Sequence, residues 1–207
     1  MISPADRLNE IATLRIELLD TDPLIWRQVD VPTSITLKVL HDVVQAAMDW
    51  RDQHLWALGL DGRLYGEAVP GDSEDGPSII RADKARLRDV LKSAGTVMDY
   101  TYDFGDDWRH RLTFSDIRPG DPEAEYPRYL AGERCAPPED CGGLPGFYGA
   151  LEVLADPAHP DRADVADLFE GYDPDRIDEL VLEIALSRIA RRRNAAKATW
   201  GNVDAEQ

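Results

Sequence analysis

The sequence is short of cysteine, of histidine and of bases to match its acids. Two cysteines occur in 207 residues, Cys135 and Cys141. That count excludes the disulfide framework of a small secreted scaffold and the paired-cysteine pattern of common zinc modules. No apolar run approaches the roughly 20 residues that a membrane-crossing helix needs. The opening stretch, Met1-Ile2-Ser3-Pro4-Ala5-Asp6, lacks the basic start and apolar core of a signal peptide, so a cytoplasmic location is expected. Walker loops, Gly-x-Gly-x-x-Gly, Gly-x-Ser-x-Gly and His-Glu-x-x-His are all missing, and with them the simplest nucleotide, serine-hydrolase and zincin readings. Bases number 23 against 40 acids, a formal charge of −17. The excess is even: −5, −6 and −6 over residues 1–70, 71–146 and 147–207. A field of that sign opposes nonspecific binding to nucleic acid or anionic membrane.

What is present is a globular pattern. Leu14, Ile16 and Leu18 alternate with Arg15 and Glu17, the period of a half-buried strand. Asp20-Thr21-Asp22-Pro23 is turn chemistry, and residues 25–31 return as a second strand ending at Pro32, an antiparallel hairpin. Ser34 or Thr36 caps a helix over 36–49, where Val39, Leu40, Val43, Val44, Ala47 and Met48 recur at helical spacing. Residues 54–60 and 63–65 flank an Asp61-Gly62 turn. Residues 66–80 read as a mobile loop, and 84–93 as a short helix stopped by Gly95. Residues 117–146, rich in proline and glycine, read as one long irregular segment. The last third is helical: a helix around Phe147, Leu151 and Leu154, a second over 164–169, and a third to about 198 that Asp173-Pro174 starts. Hairpins followed by helices predict an α+β fold in one domain over 11–190, with flexible termini at 1–10 and 199–207. Trp26 and Trp56 are expected in the core.

The strands at 96–104 and 108–115 carry the densest chemistry. A three-residue turn at 105–107 would set Phe104 opposite Trp108, Tyr102 opposite His110, Tyr100 opposite Leu112 and Met98 opposite Phe114. One face is then aromatic and apolar, with His110 inside it beside Tyr102. The other pairs Asp103 with Arg109. Asp103, Asp106, Asp107 and His110 fall within eight residues. Carboxylates and imidazole together hold a divalent metal or perform acid–base chemistry; a scaffold hairpin with a core histidine is the simpler account.

At this hairpin the sequence resembles a known family. Tyr100-Thr101-Tyr102-Asp103-Phe104-Gly105-Asp106-Asp107-Trp108-Arg109-His110 is similar to the signature of the plasmid pRiA4b Orf-three-like family, also filed as transposon-passenger TnpR-like proteins. Pro23-Leu24-Ile25-Trp26-Arg27, Leu40-His41, Trp50 and His54-Leu55-Trp56 resemble its N-terminal part. Gly132-Glu133-Arg134-Cys135-Ala136-Pro137-Pro138-Glu139-Asp140-Cys141-Gly142-Gly143 resembles its second hallmark. The resemblance spans about residues 11–190. It implies one α+β domain, often encoded near mobile elements, and supplies no reaction and no catalytic residue. The TnpR label conflicts with the residues. A serine recombinase needs an activated serine among arginines and a basic DNA-binding region, and Ser3 and Ser34, its first serines, have neither.

In the second hallmark, Pro137-Pro138 stiffens the chain and Gly142-Gly143 permits close backbone approach. Glu139 and Asp140 place two acids on a restrained loop that suits a cation or a basic partner. Cys135 and Cys141 are buried or reactive thiols; with His110 and an acid they are also the candidate ligands of a divalent metal. Arg188, Arg191, Arg192, Arg193 and Lys197 form the only basic run. It serves as a phosphate-binding patch or as the cationic end of a helix.

Three functions are consistent with these features. The first is a binding or interaction module whose ligand or partner lies between the 103–110 hairpin and the 132–143 loop, using Tyr102, Trp108, Arg134, Cys135 and Cys141. The second is a metal-assisted or acid–base hydrolase at the same place, with Asp103, Asp106, Asp107, His110, Glu139 and Asp140 as acids, bases or ligands. The third is an accessory protein in mobile-element nucleic-acid transactions, acting through the basic helix.

Overall fold

The computed structural model describes residues 9–67 and 79–203, with side chains to 195 in the last helix. The chain order is β1 (Glu10–Leu18), β2 (Ile25–Pro32), α1 (Leu37–Met48), β3 (Trp56–Leu60), β4 (Arg63–Gly66), β5 (Ile79–Arg81), α2 (Leu87–Val90), β6 (Val97–Tyr102), β7 (Trp108–Pro119), β8 (Arg128–Glu133), α3 (Gly143–Ala155), α4 (Arg162–Leu168) and α5 (Glu179–Val203). This is the expected α+β class, with a helical last third.

The strands form one sheet in the order β5-β4-β3-β6-β7-β1-β2-β8. Every pairing is antiparallel except β4 with β5. Alternation in β1 buries Leu14, Ile16 and Leu18 completely while Arg15 and Glu17 stay partly exposed. The Thr36 hydroxyl accepts from the Val39 amide at the start of α1, and Leu40, Val43, Val44 and Ala47 sink that helix into the cluster of the sheet. Each fully buried leucine or valine among them contributes about 1.5–3 kcal/mol. Among the described residues no helix is long and apolar enough to cross a membrane.

Several boundaries differ from expectation. Glu10, expected in a flexible terminus, is in β1, and α5 continues through 199–203; residues 1–8 and 204–207 lie outside the described residues. Most of the expected loop at 66–80 lies outside them too, while Ile79–Arg81 is a strand. The helix expected over 84–93 is a single turn. The segment 117–146 is not one irregular stretch: β7 extends into it, β8 pairs with β2, and α3 begins at Gly143. An edge strand such as β8 is half polar, so its hydrophobic signal is weak. Asp173-Pro174 does not start α5. Asp178 does, its carboxylate accepting from the Val181 amide at 3.3 Å. Trp56 is buried, whereas Trp26 is partly exposed with the Arg15 guanidinium 4.0 Å over its ring.

The β6–β7 register differs by two residues. Tyr102 pairs with Trp108, Tyr100 with His110, Met98 with Leu112 and Thr101 with Arg109. Asp103 takes a left-handed backbone (φ 54°), and its Oδ1 accepts from the Gly105 amide at 2.9 Å. The Asp107 amide donates to the Asp103 carbonyl at 2.7 Å. These bonds lengthen the connection to residues 103–107 and leave Phe104 outside, 56% exposed. A two-residue shift preserves the faces, so Met98, Tyr100, Tyr102, Trp108, His110, Leu112 and Phe114 all remain buried.

Candidate functional site

The β6–β7 connection and the loop between β8 and α3 meet through side chains. The Tyr102 hydroxyl donates to Glu139 Oε1 at 2.5 Å and accepts from the Gln53 amide at 2.9 Å. Glu139 Oε2 accepts from the Arg51 amide at 2.9 Å. The Trp50 indole donates to the Pro137 carbonyl at 2.9 Å. Asp106 Oδ2 receives the Gly142 amide at 3.3 Å. Gly143 packs so closely that a Cβ there would lie 2.5 Å from the Asp106 carbonyl oxygen, which accounts for that glycine. Burial and Glu139 raise the Tyr102 phenol above its ordinary value, so it stays a neutral donor.

His54 joins them. Its Nε2 lies 2.9 Å from Asp140 Oδ1 and 3.6 Å from Asp103 Oδ2. Tyr102, Asp103, Asp106, Glu139, Asp140 and His54 thus belong to one junction of three chain segments. The imidazole is the residue that sequence reasoning missed. It stands in the His54-Leu55-Trp56 motif, but no spacing links position 54 to positions 103 and 140.

Other expected members are elsewhere. Asp107 turns to the Arg109 guanidinium at 3.3 Å, which also meets Asp20. His110 faces Tyr100 rather than Tyr102 in the ladder and lies fully within the aromatic core. Its ring centroid lies 5.4 Å from that of Trp50 in an edge-to-face arrangement, and its Nδ1 is 3.0 Å from the Trp108 carbonyl. Burial lowers its pKa to about 4, so it is neutral at physiological pH and touches none of the acids. Trp108 is equally buried, tilted against Trp50. Arg134 pairs with Asp175.

Cys135 and Cys141 are free thiols, both half-buried. Burial raises both, Cys141 to about 12 with help from Asp106, which opposes the reactive-thiol reading. Among the described residues, His110, Cys135 and Cys141 do not join any group of three ligand atoms close enough to share an ion. The expected set of three therefore does not come together among the described residues: His110 lies in β7 with its ring in the aromatic core.

A cleft of about 700 Å³ opens beside the same loop, within the size range of small-molecule sites. Residues 135–140 form one wall, the segment after α1 a second, and the α4–α5 connection a third. None of residues 103–110 borders it, so the cavity lies to one side of the hairpin and not between hairpin and loop. Its acids are Asp49, Glu139, Asp140, Glu170, Asp173 and Asp178, against Arg27, Arg51 and Arg176. Arg27 is buried and engaged by carbonyls: Ala47 at Nε, and Trp26, Glu133 and Arg134 at Nη1. Asp49 and Glu170 make no side-chain hydrogen bond or ion pair among the described residues, and burial raises the Asp49 carboxyl above its ordinary value.

The basic run of α5 is divided. Arg188, Arg191 and Arg192 are exposed, whereas Arg193 is half-buried, its guanidinium donating to Ser34 Oγ at 3.0 Å. Burial lowers the Arg193 pKa. The side chain of Lys197 lies outside the described residues.

Residues 10–180 match the family profile described as plasmid pRiA4b ORF-3-like protein. The uncharacterized protein y4hQ of Sinorhizobium fredii is 35% identical over 166 residues, covering 80% of this chain and 84% of that protein. The crystal structure of MM3350, a protein of unknown function from Methanosarcina mazei Go1, superimposes with a TM-score of 0.73 at 33% identity, covering 82% of this chain and 95% of that one.

Proposed function

The chain belongs to the plasmid pRiA4b ORF-3-like family, and on that footing we propose that it is a binding module for a cationic ligand bearing amine or guanidinium groups, seated in the acidic cleft beside the second hallmark. The observation that carries this reading is the lining of the cleft: six carboxylates against three guanidiniums. One of those guanidiniums, Arg27, is already committed to four carbonyls. Two of the lining carboxylates, Asp49 and Glu170, make no ion pair or side-chain hydrogen bond among the described residues. Both side chains are exposed, so what they offer a ligand cation is charge-assisted hydrogen bonding at carboxylates that no protein cation occupies among the described residues. The β6–β7 hairpin supports the wall through Tyr102 and Asp106 and does not contact the ligand.

Calorimetric titration of the full chain with spermidine, a flexible polyamine probe, tests the reading. Saturable binding that weakens with added salt and is lost in Asp49→Asn combined with Glu170→Gln is expected. Equal binding by wild type and double variant, or none at low salt, refutes it.

A further inference from the structure

Among the described residues two clusters combine one histidine with two aspartates, and they differ in what completes them. In the first, Lys38 Nζ lies 3.3 Å from Asp42 and 3.0 Å from Asp52. The His41 ring there is fully engaged, Nδ1 at 2.8 Å from the Tyr100 hydroxyl and Nε2 at 2.8 Å from Asp52. That cluster has its own cation. In the second, made of His54, Asp103 and Asp140, no lysine or arginine reaches either carboxylate among the described residues.

We propose that His54, Asp103 and Asp140 bind a first-row divalent cation such as zinc, manganese or cobalt, which ties together the α1–β3 connection, the β6–β7 connection and the second hallmark.

The geometry of the three ligand atoms supports this. They lie within 4.8 Å of one another. Ligands held at about 2.1 Å from one ion stand roughly 3.0–3.4 Å apart at octahedral or tetrahedral angles; the two histidine–carboxylate separations are 2.9 and 3.6 Å. The state of His54 Nε2 is a separate observation. The atom is closed off from solvent, yet neither carboxylate meets it in hydrogen-bonding geometry. A buried polar atom left this way is costly, and an ion between the three groups satisfies it. Mixed nitrogen and carboxylate ligands suit a borderline metal better than calcium or magnesium. Asp140 is 61% exposed and Asp103 14%, so the site has an entry path and room for water to complete the coordination. The same ion neutralises acids that otherwise repel across the junction, Asp103, Asp106, Glu139 and Asp140 among them. The site does not depend on what fills the cleft, although Asp140 borders both.

The experiment uses the full chain stripped of metal, titrated with cobalt(II) by visible absorption and with zinc or manganese by calorimetry. One equivalent is expected to bind, and the thermal midpoint to rise with metal concentration. His54→Gln and Asp140→Asn should each weaken binding by at least about tenfold, since even an outer partner of a ligand is worth that much. His41→Gln, in the cluster that Lys38 fills, should leave metal binding unchanged. Circular dichroism establishes that each variant is folded; Asp140→Asn, at an exposed position, keeps the test valid should His54→Gln unfold. No saturable uptake, or uptake equal in wild type and both junction variants, overturns the proposal. The Asp49→Asn/Glu170→Gln variant separates the two sites: it should lose spermidine and keep metal.

Discussion

Tyr102 and Glu139, 37 positions apart in the chain, share a 2.5 Å hydrogen bond that closes the junction of three segments. Tyr102→Phe leaves Glu139 and the Gln53 amide without their partner. It should destabilise the protein by about 1–3 kcal/mol, read from urea denaturation. In a double-mutant cycle with Glu139→Gln the two changes should couple by at least about 0.5 kcal/mol. Strict additivity would mean that the bond contributes nothing to stability.

Gly143 and Gly149 offer a paired test of close packing. An alanine Cβ at 143 would press on the Asp106 carbonyl at a backbone φ of 64°, whereas one at 149 meets nothing within 4 Å. Gly143→Ala should therefore cost more than about 1 kcal/mol. Gly149→Ala, inside α3, should gain up to about 1 kcal/mol. A thermal midpoint unchanged or raised in Gly143→Ala would contradict the close approach.

Acid should weaken the fold through two histidines. Burial lowers both His41 and His110 to about 4 from the ordinary 6.5. Between those values the unfolded chain binds more protons than the folded one, so stability rises with pH. The contribution is complete above pH 6.5 and is lost as pH falls toward 4, on the order of 3 kcal/mol per histidine. His110→Gln should remove about one proton from the pH dependence of the unfolding free energy over that window. An unchanged slope would show that His110 titrates normally.

Both thiols should react slowly while the protein is folded. Burial raises Cys135 and Cys141, so little thiolate exists near pH 8. Modification by a chromogenic disulfide should be much slower in buffer than in guanidinium chloride, with two thiols released on unfolding. Rapid labelling of either cysteine in the native state would contradict the burial seen here.

Elements whose chemistry is local were legible in the residues alone. Alternation wrote β1 and β2, the Thr36 cap and helical spacing wrote α1, and Asp61-Gly62 wrote a hairpin, because each depends on neighbours within a few residues. The faces of β6 and β7 were readable for the same reason, while their register depended on how the Asp103 carboxylate bonds its own loop. Polar edge strands such as β8 left too faint a periodic trace to be read. The junction and the cleft came from long-range packing of the assembled fold. It carried His54 to Asp103 and Asp140 and turned Asp107 outward. Those outcomes follow from strand order and from which side chains compete for buried space, and both are properties of the assembled sheet that no window of sequence contains.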